Sequence, residues 1–131
     1  MSCDFAVWYP HRKLSDAAAL AIYERLCAGD GEASPAHPAV DAFYAELIER
    51  YPEPSELPDD RVDDSPWSCD LDRSPGAVVL ASVWSRAEEA ERAIHELAKK
   101  HGLAVFDPQS GRVHHPDGTS GAGPKPWWKL W

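Results

Sequence analysis

The sequence predicts an α+β fold, a mainly antiparallel sheet with three helices packed on one face, in the order β-α-α-β-β-α-β-β and with ferredoxin-like character. Three observations predict it. Apolar residues switch along the chain between a spacing of two and a helical spacing. Two pairs of strand-like runs are joined by turn chemistry, "RSPG" and "DPQSG". Finally, 131 residues, 44% hydrophobic and 27% charged, suit one domain with a real core.

The first strand is "CDFAVWY", closed by Pro10. Phe5, Val7 and Tyr9 fall on one face and Ala6 and Trp8 on the other, so the strand is apolar on both sides and belongs in the middle of the sheet. Ser15 then offers an N-cap, with Asp16 in the first turn where the helix dipole favours an acid. The helix "AAALAIYERLCAG" follows and stops at Gly29. A second helix runs from about Pro38 to Tyr51 and carries an apolar stripe of Val40, Phe43, Tyr44, Leu47, Ile48 and Tyr51.

Residues 53–72 differ in kind. They hold eight acids, Glu53, Glu56, Asp59, Asp60, Asp63, Asp64, Asp70 and Asp72, against one base, Arg61. Pro52, Pro54, Pro58 and Pro66 frame and interrupt them, which rules out a regular helix. An exposed, extended loop is expected, of a length that is often functional.

"WSCDLD" and "GAVVLASVW" then read as a hairpin, with Val78 and Leu80 on one face and Val79, Ala81 and Val83 on the other. Ser85 and Glu88 have capping-box spacing ahead of the helix "RAEEAERAIHELAKKH", whose Ala87, Ala90, Ile94, Leu97 and Ala98 point inward and whose C-cap is Gly102. "LAVF" and "RVHH" form the last hairpin. Between them Asp107 is a turn-former, its side chain bonding the turn backbone beside Pro108 and ahead of Gly111. Residues 1–116 are thus one α+β domain, and 117–131 a Gly/Pro linker with a Trp-rich tail of Trp127, Trp128 and Trp131.

Composition bounds function. The net charge of −9 repels phosphate backbones, which argues against nucleic-acid binding; it favours a basic partner or simply gives solubility. No apolar run approaches the roughly 18 residues of a membrane helix, and "MSCDFAVWYPHRK" is no secretory signal, so no membrane association and a cytoplasmic location are expected. Three cysteines, Cys3, Cys27 and Cys69, cannot all pair and are expected as buried or semi-buried thiols.

Motifs for chemistry are sparse. His114 and His115 project to opposite faces of a strand and read as an adventitious exposed pair, not as metal ligands. His95 and His101 do not share a helix face, Cys69 sits among acids that disfavour a thiolate, and no phosphate loop or nucleophile elbow occurs. No catalytic residue, metal site or cofactor is therefore assigned. The pairs Asp59–Asp60 and Asp63–Asp64 lack the pattern of a calcium loop and read as a solvated acidic stretch.

"CDFAVWYP", "FYAELIERYP" and "GLAVFDPQSGRVHHP" together resemble a group of short, largely uncharacterised bacterial proteins that open with a "Phe-Asp-x-x-Val-Trp"-like strand and close with an "Asp-Pro-Gln" turn. Here Asp4 precedes Phe5 instead of following it. The resemblance spans residues 2–116 and implies a shared fold; its likeness to immunity proteins implies toxin neutralisation by binding.

The leading expectation is a non-enzymatic acidic binding protein of the immunity or inhibitor kind. It would meet a basic protein partner through Glu56, Asp59, Asp60, Asp63 and Asp64, with Trp67 as an aromatic anchor where it does not simply start a strand in the core. The alternatives are a small metal-dependent hydrolase using Asp107 and His114, and a homodimeric structural or regulatory protein associating through a sheet face or the Trp tail.

Overall fold

A computed structural model describes residues 2–118; the tail tryptophans lie outside the described residues. The chain runs β1 (Ser2–Trp8), α1 (Asp16–Cys27), α2 (Pro38–Arg50), β2 (Asp72–Ser74), β3 (Ala77–Val83), α3 (Ala87–His101), β4 (Ala104–Asp107) and β5 (Arg112–His114). The class and element order are those the sequence predicts. The strands form one sheet in the order β2-β3-β1-β4-β5, and every neighbouring pair is antiparallel. Read from β4 to β2, this is the ferredoxin-like order, with β5 added beyond β4.

The central place of β1 follows from its two apolar faces. Phe5 and Val7 join Val78, Leu80 and Val105 beneath α2 and α3, where Val40, Phe43, Leu47, Ala90, Ile94 and Leu97 complete the larger core. Ala6 and Trp8 join Phe106 and Val113 in a second cluster that includes Ala19 and Leu26 of α1. Here the structure corrects the expected layering: α2 and α3 share one face, whereas α1 covers the other. The physical reason is already in β1, because a strand carrying Trp8 on its second face needs cover there too.

Local chemistry explains the helix ends. Ser15 Oγ accepts from Ala18 N at 3.1 Å, capping α1 as expected. At the start of α2 the cap is His37, whose Nδ1 accepts from Ala39 N at 3.1 Å, with Pro38 in the first helical position. The expected capping box of α3 does not form. Trp84–Arg86 make a 3-10 turn, Arg86 takes the N-cap position without a side-chain cap, and its guanidinium pairs with Glu89 at 3.0 Å. Gly102 closes α3 in the left-handed conformation, φ 72°.

Residues 53–72 are not an extended loop throughout. Proline blocks the α-helix but tolerates a tighter turn, and Pro54–Glu56 and Asp59–Asp64 form short 3-10 helices. Their bonds run Glu56 N to Glu53 O at 2.9 Å, Arg61 N to Pro58 O at 2.8 Å and Ser65 N to Val62 O at 3.2 Å. Cys27 and Cys69 are exposed free thiols, not buried ones. Cys27 is the last residue of α1, on its exposed side, and Cys69 lies in the acidic segment.

Candidate functional site

The acidic segment is held at its base and open at its crest. Trp67 is only 2% exposed. Its indole Nε1 donates to Tyr51 O at 2.8 Å, and its ring meets the Tyr51 ring edge-on. Ser65 Oγ donates to Pro52 O at 2.8 Å and accepts from Trp67 N at 3.2 Å. Glu53, 7% exposed, accepts from the Tyr44 hydroxyl and from Leu71 N, the latter at 2.9 Å. Burial first, and the Glu53 carboxylate second, push the Tyr44 hydroxyl up to about 12. Arg73 covers the Tyr44 ring at 4.2 Å, a cation–π contact closing the same corner.

Of the two readings open to Trp67, the core one holds, and one acid of the segment outside the expected site is drawn inward. Trp67 is a core residue and offers no surface to a partner, because an isolated antiparallel bridge to Ser82 and the bond to Tyr51 O draw it inward. Glu53, one of the eight acids, is a buried clamp. Glu56, Asp59, Asp60, Asp63 and Asp64 are all exposed. Arg61 pairs with Asp64 at 2.9 Å, and Asp70 accepts from Ser55 N at 3.0 Å, bonding to Ser55 that holds its carboxyl below the ordinary range.

An aromatic residue does stand beside the acids, but it is Trp84, 59% exposed. Val83 N donates to Pro66 O at 2.7 Å and Arg86 Nη1 donates to Asp64 O, so both flanks of Trp84 are bonded to the acidic segment. The sequence signal for it was a strand ending one residue earlier, at Val83, which leaves Trp84 on a turn rather than in the sheet.

The histidines and Asp107 do not assemble a reactive centre. Asp107 Oδ1 accepts from Gln109 N at 2.9 Å and from Gln109 Nε2 at 2.6 Å, the expected turn role. The His114 ring meets the His95 ring edge-on at 5.2 Å, and burial together with His114 holds His95 below its ordinary value. His115 departs from the exposed pair expected of "HH". It is buried, and its Nε2 lies 3.2 Å from Leu14 N and 3.3 Å from Leu14 O, because alternation along the strand sends it to the α1 face. Among the described residues no group of three or more His, Cys, Asp or Glu side chains is placed to hold a metal ion, which leaves the hydrolase alternative without a centre there. No helix among the described residues is long and apolar enough to cross a membrane.

Comparison with known protein families, with curated proteins and with solved structures found no match.

Proposed function

We propose that this protein is a non-enzymatic binding protein of the immunity or inhibitor kind. It captures a basic protein partner with the exposed face of residues 56–64 and with Trp84. The observation that carries this reading is the clamped base beneath a charged crest. Glu53, Ser65 and Trp67 pin the segment to the end of α2, while Glu56, Asp59, Asp60, Asp63 and Asp64 stay in water. A charged surface fixed before encounter loses less conformational entropy on binding, and its sign steers a cationic partner toward it. An exposed tryptophan at the margin supplies the apolar contact that charge alone does not. A cytoplasmic site of action belongs to the same reading and is supported by the unpaired, exposed thiols of Cys27 and Cys69.

The test is capture of a partner from extract of the native host by the full chain, beside a variant with Asp59, Asp60, Asp63 and Asp64 changed to Asn and beside Trp84→Ala. One basic protein is expected on the unaltered chain, in reduced amount on both variants, with a salt sensitivity that the four-fold variant loses. Equal capture by all three chains removes this surface from the function.

A further inference from the structure

A second surface lies at the opposite end of β1. The acidic segment joins the sheet at Val83, which pairs with Ser2, whereas Trp8 at the far end of β1 opens onto a pocket of about 270 Å³. Its walls are Trp8, Leu14 and Ile22 on the α1 side and Ala33, Ser34 and Pro35 from the loop between α1 and α2, with His11 and Arg12 at the mouth. The mouth is braced by rings: Tyr9 stacks on His37 at 3.6 Å, and His11 meets Tyr9 edge-on at 4.9 Å.

Two features separate this pocket from an ordinary surface dent. In a chain of net charge −9, Arg12 makes no ion pair or hydrogen bond among the described residues, while its neighbour Lys13 pairs with Asp117 at 2.7 Å. The indole Nε1 of Trp8 is also the one buried side-chain polar atom among the described residues without a partner. A buried donor left without an acceptor costs on the order of 1–3 kcal/mol, and native folds seldom carry one.

We infer that this pocket binds a small organic carboxylate, its apolar body between Leu14, Ile22, Ala33 and Pro35 and its anionic group at Arg12 and His11. The size sets the class: the volume is at the low end of ligand pockets and admits a ligand of one ring or one branched chain. The charge sets the sign, because a cation without an ion pair among the described residues, beside an apolar cleft, selects an amphiphilic anion over a neutral or cationic analogue. Trp8 lines the pocket, so its indole resonance reports the pocket's occupancy.

The probe is 3-phenylpropionate titrated into the full chain, followed at the indole ¹H–¹⁵N resonances, with that of Trp8 assigned by its absence in Trp8→Phe. A saturable shift of the Trp8 resonance with Kd below about 1 mM is expected. The uncharged 3-phenylpropanol and the Arg12→Gln chain should each bind about fivefold more weakly or worse. Arg12 is exposed, so its replacement leaves the fold intact, and an unchanged spectrum of the free variant checks this. The inference is overturned by the absence of a saturable shift at Trp8, or by equal binding of acid and alcohol. It is also overturned if Trp127→Ala or Trp128→Ala moves the Trp8 resonance without ligand, since the chain would then fill its own pocket. None of these outcomes bears on the acidic surface at the other end of the sheet.

Discussion

The side-chain amide of Gln109 pairs with both backbone polar groups of Asp4, 105 positions away: Asp4 N donates to Oε1 and Nε2 donates to Asp4 O, each at 2.8 Å. The strand register explains why a side chain stands there. Ala6 faces Phe106 and Trp8 faces Ala104, so the next hydrogen-bonding partner of Asp4 would be residue 108, which is proline and has no N–H. The chain turns away, and the amide of Gln109 replaces the missing strand while Asp107 Oδ1 holds its nitrogen at 2.6 Å. Gln109→Ala should cost about 1–2 kcal/mol, two net hydrogen bonds in a partly solvated place. Gln109→Glu should cost at least as much, because it removes the donor and sets a carboxylate against Asp107. Urea midpoints of the three chains decide; a Glu variant as stable as the parent would mean that the amide donor contributes nothing.

Gly76 should tolerate no side chain. A Cβ there would lie 2.0 Å from Ser34 O and 2.6 Å from Pro35 O, both backbone atoms of the loop that rests on the β2–β3 turn. His37 N also donates to Pro75 O at 3.3 Å, so that loop has little freedom to retreat. Gly76→Ala is expected to destabilise by about 2–3 kcal/mol, by forcing the loop off the sheet. Gly31→Ala is the control, since its Cβ would meet only Ser74 Cβ at an ordinary 3.5 Å. Thermal unfolding of both variants reads the contrast, and similar midpoints would show that the loop yields freely.

The strands, helices and most of the core were legible because each rests on local periodicity: Phe5 and Val7 against Ala6 and Trp8, or the stripe from Val40 to Tyr51, report which residues share a face. Periodicity does not say which helix covers which face. That α1 lies across the sheet from α2 and α3 is set by the second face of β1 and the connection lengths, which no single element displays. The candidate site was legible as charge and illegible as shape. Trp67 and Trp84 look alike in sequence, each near acids and at a strand end. What separates them is a long-range choice, the bond of Trp67 Nε1 to Tyr51 O and the end of β3 at Val83. Glu53 was hidden among seven other acids for the same reason, because its partners Tyr44 and Leu71 lie 9 and 18 positions away.

Stability should fall in two separate stages on acidification. Burial, with the neighbouring His114 second, holds the folded His95 below its ordinary 6.5, against smaller opposing pulls from Glu91 and Asp107. The unfolded chain therefore takes up this proton first as the pH drops through that value, and folding loses stability until the folded imidazole also titrates. Glu46, hydrogen-bonded by Lys100 and His101, and Glu89, bonded by Arg86, sit below their ordinary 4.5. Their contribution is present above that value and is lost below it. His95→Gln should flatten the first decline, which sets in as the pH falls through the ordinary histidine value of 6.5, and leave the second untouched. Urea midpoints across the range check this; an unchanged first decline in the variant would assign it to another group.

The clamp under the acidic segment links stability to capture. Glu53 accepts from two donors, the Tyr44 hydroxyl and Leu71 N, and a leucine in its place offers an acceptor to neither. Glu53→Leu should therefore leave the buried Leu71 N–H unpaired and cost about 1–3 kcal/mol. Trp67→Phe keeps most of the ring but frees Tyr51 O, at a smaller cost of about 1 kcal/mol. Neither variant touches the exposed acids, yet both loosen the frame that presents them. If the fixed crest matters for binding, both should raise the partner's dissociation rate and speed proteolysis between residues 53 and 67, while the charge-driven association rate stays near that of the parent. Faster proteolysis with an unchanged dissociation rate would mean that the acids act as a loose cloud of charge and that their placement is immaterial.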